Sequence, residues 1–278
     1  MAGGPGMMRI LLLCWSLAPL LWQLRTSFLV GDVLVGEQSH PGLSPWTLAN
    51  YRLVLHGDPS LTQVLLNSTV LGLITTLLTL ILALPCAYGL HALRGHLQRS
   101  IHAALVGAAL FPTVLLFLSL LQVARSLGLA NHLLALSLPY AALSLPFAIL
   151  LLQAAINDLP PELEDAARLD GLNTLQRLRL IVAPLLTPAL ASTGLLVFLA
   201  SWNEYPIALT WLSRSDRLTL PAAMGRIASS SVYTIPYGPY AAATVLGSLP
   251  LLLLVLLFQR WIISGLTQGA VKGGGGCS

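Results

Sequence analysis

The residues best equipped for chemistry fall in two short stretches. Asn157-Asp158-Leu159-Pro160-Pro161-Glu162-Leu163-Glu164-Asp165-Ala166-Ala167-Arg168-Leu169-Asp170-Gly171 carries the densest charge in the chain. Trp202-Asn203-Glu204-Tyr205 closes an apolar run. A carboxylate, an amide and aromatic rings are groups that hold sugars, by hydroxyl hydrogen bonds and ring stacking. An acid at membrane depth is a functional candidate, but at the end of an apolar run charge is cheap, which favours an interfacial anchor. No catalytic residue is assigned. A phosphate-binding loop needs Gly-x4-Gly-Lys-Ser/Thr, and the single lysine, Lys272, is followed by Gly273. There is no Gly-x-Ser-x-Gly elbow and no His-Glu-x-x-His. His91, His96 and His102 surround one short loop without a neighbouring acid, and Cys14, Cys86 and Cys277 are scattered, so no metal site or disulfide framework is read.

The charged stretch reads as a short helix with defined ends. Asp158 is placed to cap it, the prolines suit its first turn, and Glu162, Glu164 and Asp165 sit where the helix dipole favours anions. Glu164 and Arg168 form a favourable i,i+4 pair, and Gly171 suits the C-terminal stop. Asn173 or Thr174 then caps a second helix reaching about Ala183, with Leu175, Leu178 and Val182 in one stripe and Arg177 and Arg179 elsewhere on its surface. The small patch Ala166-Ala167 beside Leu163 lets another backbone come close, which suits a groove in a soluble partner. Packing on the chain's own membrane portion is the competing reading.

The rest of the chain explains where this helix-turn-helix is suspended. Apolar residues make up 56% of 278 residues and charged ones 9%, at a mean hydropathy of +0.80. A soluble domain carries roughly 25% charge, so a soluble enzyme, a disordered chain and a nucleic-acid binder are excluded. The net charge of +4 belongs to loops that flank a membrane. Six runs lack Asp, Glu, Lys and Arg: 10–24, 59–93, 100–124, 126–157, 180–203 and 227–259. About 20 apolar residues cross the hydrocarbon layer, and the short first run continues past Arg25, which can snorkel. A secretory leader competes for residues 1–30, but no small-x-small site closes the run.

The expectation is therefore an all-α, polytopic membrane protein with six transmembrane helices in a single domain, 1–278. The spans are about 10–30, 61–92, 100–124, 132–156, 184–205 and 241–263, with the polar loop 157–183 between the fourth and fifth. Both ends then share one side. With ends inside, eight basic residues lie in the cytoplasm against six outside, a weak vote for that orientation. Trp46, Trp211, Tyr233, Tyr237 and Tyr240 fall where interfacial aromatics belong. Pro85, Pro112, Pro139, Pro146, Pro188 and Pro250 lie within the runs and tend to kink their helices.

Asp165-Ala166-Ala167, three residues, Gly171, nine residues, then Ile181-Val182-Ala183-Pro184 resembles the EAA loop of ABC-importer permeases. Asp165 stands where that pattern has Glu, and Ala183 where it has Leu. Ser201-Trp202-Asn203-Glu204-Tyr205, the run Ser248-Leu249-Pro250 to Phe258-Gln259-Arg260, and Gly265 to Gly273 resemble the second membrane subunit of maltose/trehalose-type carbohydrate importers. The tail Gly274 to Ser278 goes beyond that pattern. The resemblance implies a cytoplasmic coupling helix contacting an ATPase through Glu164, Asp165, Ala166, Ala167, Asp170 and Gly171. It implies a substrate path with Trp202, Asn203, Glu204 and Tyr205 as candidates, in a multi-pass protein of the bacterial inner membrane. Implied partners are a second homologous permease subunit, an ABC ATPase dimer, an extracytoplasmic solute-binding protein, membrane lipid and a small-molecule sugar. ATP and Mg would be bound by the ATPase, with no cofactor in this chain. An ion-gradient-driven secondary transporter would place ionisable groups within its spans, and a polytopic membrane enzyme would need a catalytic cluster at the interface.

Overall fold

A computed structural model describes residues 5–29, 46–228 and 236–270. Most of the loop 31–58, Ser229 to Ser231, Tyr233 and the tail from Val271 to Ser278 lie outside the described residues. The described residues are helical throughout, apart from turns and one isolated antiparallel bridge between Leu29 and Trp46. In order, the helices are α1 (Pro5–Ser27), α2 (Ala49–His56), α3 (Leu61–Ala92), α4 (Gly95–Ala109), α5 (Thr113–Ser126) and α6 (Leu134–Asn157). They continue as α7 (Pro161–Leu169), α8 (Thr174–Leu185), α9 (Thr187–Asn203), α10 (Pro206–Trp211), α11 (Leu220–Ala228) and α12 (Tyr237–Ala270).

Among the described residues, three helices are long and apolar enough to cross a membrane: α3, α6 and the Tyr237–Gln259 part of α12. Two bent pairs bring the number to five if each pair is one span: α4 with α5, bent by 80°, and α8 with α9, bent by 79°. Proline explains where these breaks fall. Pro112 lies between α4 and α5, and Pro188 lies in the first turn of α9. A proline ring clashes with the preceding turn and supplies no N–H, so a helix ends or kinks there. Pro85, Pro146 and Pro250 stay inside continuous helices, and Pro139 occupies an early turn of α6. The expected span 100–124 is thus two helices rather than one. Helix α1 is 23 residues long and is not among these three to five.

The chain divides into two compact units. Met1–Asn67 with Arg214–Leu252 forms the first. In it the Asn50 amide donates to the carbonyls of Ser27 (3.0 Å) and Leu29 (2.9 Å), tying α2 to the end of α1. Gly238 is required beside that amide, because a Cβ there would lie 2.6 Å from Nδ2 of Asn50. Asn67 donates to the carbonyls of Asp216 and Leu218, both at 3.0 Å, and Gln63 donates to Asp216 at 2.9 Å, so the start of α3 holds the loop before α11.

Ser68–Ser213 with Leu253–Ser278 forms the second unit. Its core joins Ala83, Ala87, Tyr88 and Leu90 of α3 to Ala148, Ile149, Leu152 and Ile156 of α6, Leu178 and Val182 of α8, and Val197 of α9. The small residues of α3 let α6 approach closely. By contrast Leu73, Leu77 and Ile81 on α3 are exposed. Such an uncovered leucine face is costly in water and ordinary against lipid. Trp211 is 5% exposed and its indole N–H donates to the carbonyl of His132 at 3.3 Å.

Candidate functional site

The charged stretch folds as the short helix α7. Pro160 precedes it and Pro161 opens it, with Glu162 and Glu164 in the first turn and Arg168 in the last. Pro160 makes no side-chain cap bond. Asp158 instead stands at the C-terminal end of α6, so the expectation that it is the N-cap of α7 is corrected: Pro160 holds that position. The far end closes as expected. Gly171 has φ +78°, the Gly171 N–H donates to Arg168 and the Leu172 N–H donates to Ala167, both at 3.1 Å. A left-handed residue here satisfies carbonyls that would otherwise be orphaned, and glycine takes that shape without a Cβ penalty. Asn173 then caps α8. Its side chain accepts from the Gln176 N–H and the Gln176 side chain accepts from the Asn173 N–H, each at 2.9 Å. This reciprocal pair fixes the turn between α7 and α8.

Helix geometry sorts the six residues expected at a docking surface. Asp165, Ala166, Asp170 and Gly171 are exposed, while Ala167 is 2% exposed and faces the chain itself. The Glu164 side chain is also turned inward, at 19% exposure. It meets Arg168 at 3.4 Å and Arg177 at 3.8 Å. Leu169, not anticipated, is 89% exposed. A leucine so placed at the end of a charged helix adds an apolar anchor to the polar face.

Trp202, Asn203, Glu204 and Tyr205 separate in the same way. Trp202 is 3% exposed and packs on Phe198 with ring centroids 5.6 Å apart. Asn203 is exposed and its amide donates to the Leu199 carbonyl at 2.8 Å. Tyr205 is 37% exposed. Glu204 is fully engaged by its own chain. Its Oε1 accepts from the Ile207 N–H at 2.8 Å, and its Oε2 accepts from the Ala208 N–H at 3.0 Å and from the Tyr140 hydroxyl. The first N–H groups of a helix have no partner within it, and a carboxylate there also meets the positive end of the dipole. Glu204 therefore staples α10 to the end of α9 and to α6. Beside it lies a cavity of about 250 Å³, bordered by Tyr140, Ser144, Phe147, Ser201 and Glu204 among others. The Ser201 hydroxyl is buried without a hydrogen-bond partner. Tyr140 and Tyr88 were not singled out from sequence, Ser201 stood only in the family resemblance, and Arg177, expected on the open surface of α8, has a side chain only 13% exposed. Lone hydroxyls in apolar runs were the available signal for Tyr140, Tyr88 and Ser201.

Residues 60–268 match the family model described as "Binding-protein-dependent transport system inner membrane component". The chain belongs to that family: it is an inner-membrane ABC-importer permease, a transport subunit and not an enzyme, working with a partner ATPase that binds the nucleotide. It is 34% identical over 259 residues to the trehalose transport system permease protein SugB of Mycobacterium tuberculosis, covering 93% of each chain. It is 34% identical over 267 residues to the trehalose/maltose transport system permease protein MalG of Thermococcus litoralis, covering 95% of this chain and 94% of that one. A chain in the crystal structure of a bacterial ABC transporter that imports the acidic polysaccharide alginate shares the fold, with a TM-score of 0.74 and 22% identity over 92% of this chain and 95% of that chain.

Proposed function

We propose that this chain forms half of the translocation path of an importer for a sugar or small glycoside, and that α7 is the coupling helix seated in a cleft of the ATPase. The exposed face of α7 supports the docking assignment above all. It offers Asp165, Ala166, Leu169, Asp170 and Gly171 on a helix whose C-terminal end is closed at Gly171 and followed by the Asn173 cap of α8. Six crossings complete the reading, with α1 as the first and each bent pair as one, in a single permease domain whose two ends are cytoplasmic. The sugar class rests on the trehalose and maltose transport named for the relatives at 34% identity. The partners are a second permease subunit, an ATPase pair and an external solute-binding protein.

ATP binding closes the ATPase pair, and α7 carries that movement into the spans. Coupling of this kind requires contacts that differ between the two states. Trp202 and Glu204 serve this reading as framework, and Ser201, Asn203 and Tyr205 remain the groups able to meet a hydroxylated solute. The test is co-expression with the second permease and the ATPase, purification in detergent, and ATPase assay with the solute-binding protein. An ATPase that co-purifies, and whose hydrolysis rises with trehalose- or maltose-loaded binding protein, is expected. Cross-links from Asp165→Cys that reach lipid alone would overturn the docking assignment.

A further inference from the structure

Arg177 has no place in the docking surface, yet its environment is unusual for a guanidinium. Its side chain is 13% exposed. Nη2 donates to the Thr174 hydroxyl at 3.2 Å, while Nε and Nη1 are buried with no hydrogen-bond partner. The acid it faces is Glu164, whose Oε2 lies 3.8 Å from Nη1. At that separation the charges attract but no hydrogen bond forms. A closed guanidinium–carboxylate fork has N···O distances of about 2.7–2.9 Å. The pair therefore stands roughly 1 Å short of closure, with donors on one side and an acceptor on the other.

The pair joins two elements, with Glu164 projecting from α7 and Arg177 from α8. Leu178, next to Arg177 on α8, sits in one core with Tyr88 of α3 and Ile156 of α6. A displacement of α7 relative to α8 changes the Glu164–Arg177 distance. Unused buried donors carry a desolvation penalty that closing the fork removes. Open and closed arrangements thus differ in free energy, which coupling requires and which mere adjacency does not provide.

We propose that Arg177 is a positioning residue: with Glu164 it forms a latch between α7 and α8 that is open here and closes when the docked helix is displaced. The latch transmits the ATPase stroke to the spans. This rests on the assignment of α7 as the coupling helix.

The experiment uses the whole importer in lipid nanodiscs, with trehalose- or maltose-loaded binding protein, and reads solute moved per ATP hydrolysed alongside retention of the ATPase. Arg177→Gln and Glu164→Gln are compared with the parent. Each keeps the ATPase in the complex, and for Arg177→Gln solute moved per ATP falls about tenfold, within the usual range of coupling effects. The pair Glu164→Gln with Arg177→Gln is no worse than either alone, since both remove one fork. Exchanging the charges, Glu164→Arg with Arg177→Glu, recovers part of the loss, which a purely structural role would not allow. Glu164→Gln keeps the size of the side chain and removes its charge, so it remains informative if Arg177→Gln misfolds. Parental transport per ATP in Arg177→Gln or Glu164→Gln, or multiplying losses in the double variant, overturns the latch. If the parent itself retains no ATPase, the docking assignment fails first and the latch falls with it.

Discussion

Tyr140 on α6 donates its hydroxyl hydrogen to Oε2 of Glu204, at the junction of α9 and α10. That carboxylate also takes the Ile207 and Ala208 N–H groups, so it is occupied by the fold before any solute arrives. Glu204→Ala leaves two helix-start donors without an acceptor and is expected to cost about 1–2 kcal/mol. Tyr140→Phe removes one bond and costs about 1 kcal/mol. The double variant is expected to lose less than the sum, because the two changes delete a shared interaction. Thermal unfolding in detergent measures all three, and additive losses would contradict the staple.

Leu169 and Ala167 lie two residues apart and face opposite ways, at 89% and 2% exposure. Leu169→Asp therefore leaves the chain folded and in the membrane but weakens retention of the ATPase. Ala167→Asp forces a carboxylate into the seam between α7 and its own chain and lowers the melting temperature as well, since an unpaired buried charge is strongly unfavourable. A comparison of melting temperature with ATPase retention in the two variants separates docking from folding. Equal melting temperatures would show that Ala167 does not face inward.

Asp216 lies outside the spans and carries a carboxyl held below its usual range. The cause is the hydrogen bonding from Arg214, whose Nε and Nη2 reach its two oxygens at 3.0 and 2.9 Å, assisted by the positive charges of Arg214 and Arg217. A depressed folded value means that the pair's contribution is complete above the unfolded value of about 3.9, and is lost as the pH falls through the folded one. The turn is thus insensitive to pH near neutrality and loosens only in acid. Arg214→Gln is expected to return the Asp216 titration toward the ordinary aspartate range. NMR titration of labelled aspartate checks this, and an unmoved midpoint would reject Arg214 as the cause.

Local rules made much of this legible. The uncharged run 59–93 forms α3 over Leu61–Ala92, and Gly171 ends α7 with a positive φ because no other residue takes that shape so cheaply. Asn173 capping α8 was one of two alternatives, decided by Gln176 three residues on. What escaped the sequence depends on partners far along the chain. Pro112 marks a break but carries no information about an 80° bend, which the packing of both halves sets. Ala166 and Ala167 are the same residue type, and only the tertiary fold decides which one is covered. Glu204 looked like a boundary anchor, and Tyr140, 64 residues away, makes it a cross-link.

Gly72 and Gly89 lie on the same helix and offer a paired test of the core. A Cβ at Gly72 would fall 2.7 Å from Cε2 and 2.9 Å from Cδ2 of Phe198, whereas one at Gly89 would meet nothing within 4 Å. Phe198 has little room to retreat: it is 3% exposed and rests against Trp202. Alanine is a better helix former than glycine by about 1 kcal/mol, so Gly89→Ala is expected to raise the melting temperature slightly. At Gly72 the same gain is opposed by an overpacking cost of about 1–3 kcal/mol, and the net effect is destabilising. Phe198→Leu in the Gly72→Ala background shortens the side chain facing the new methyl and should recover part of the loss. If Gly72→Ala is as benign as Gly89→Ala, then α9 does not press Phe198 into α3.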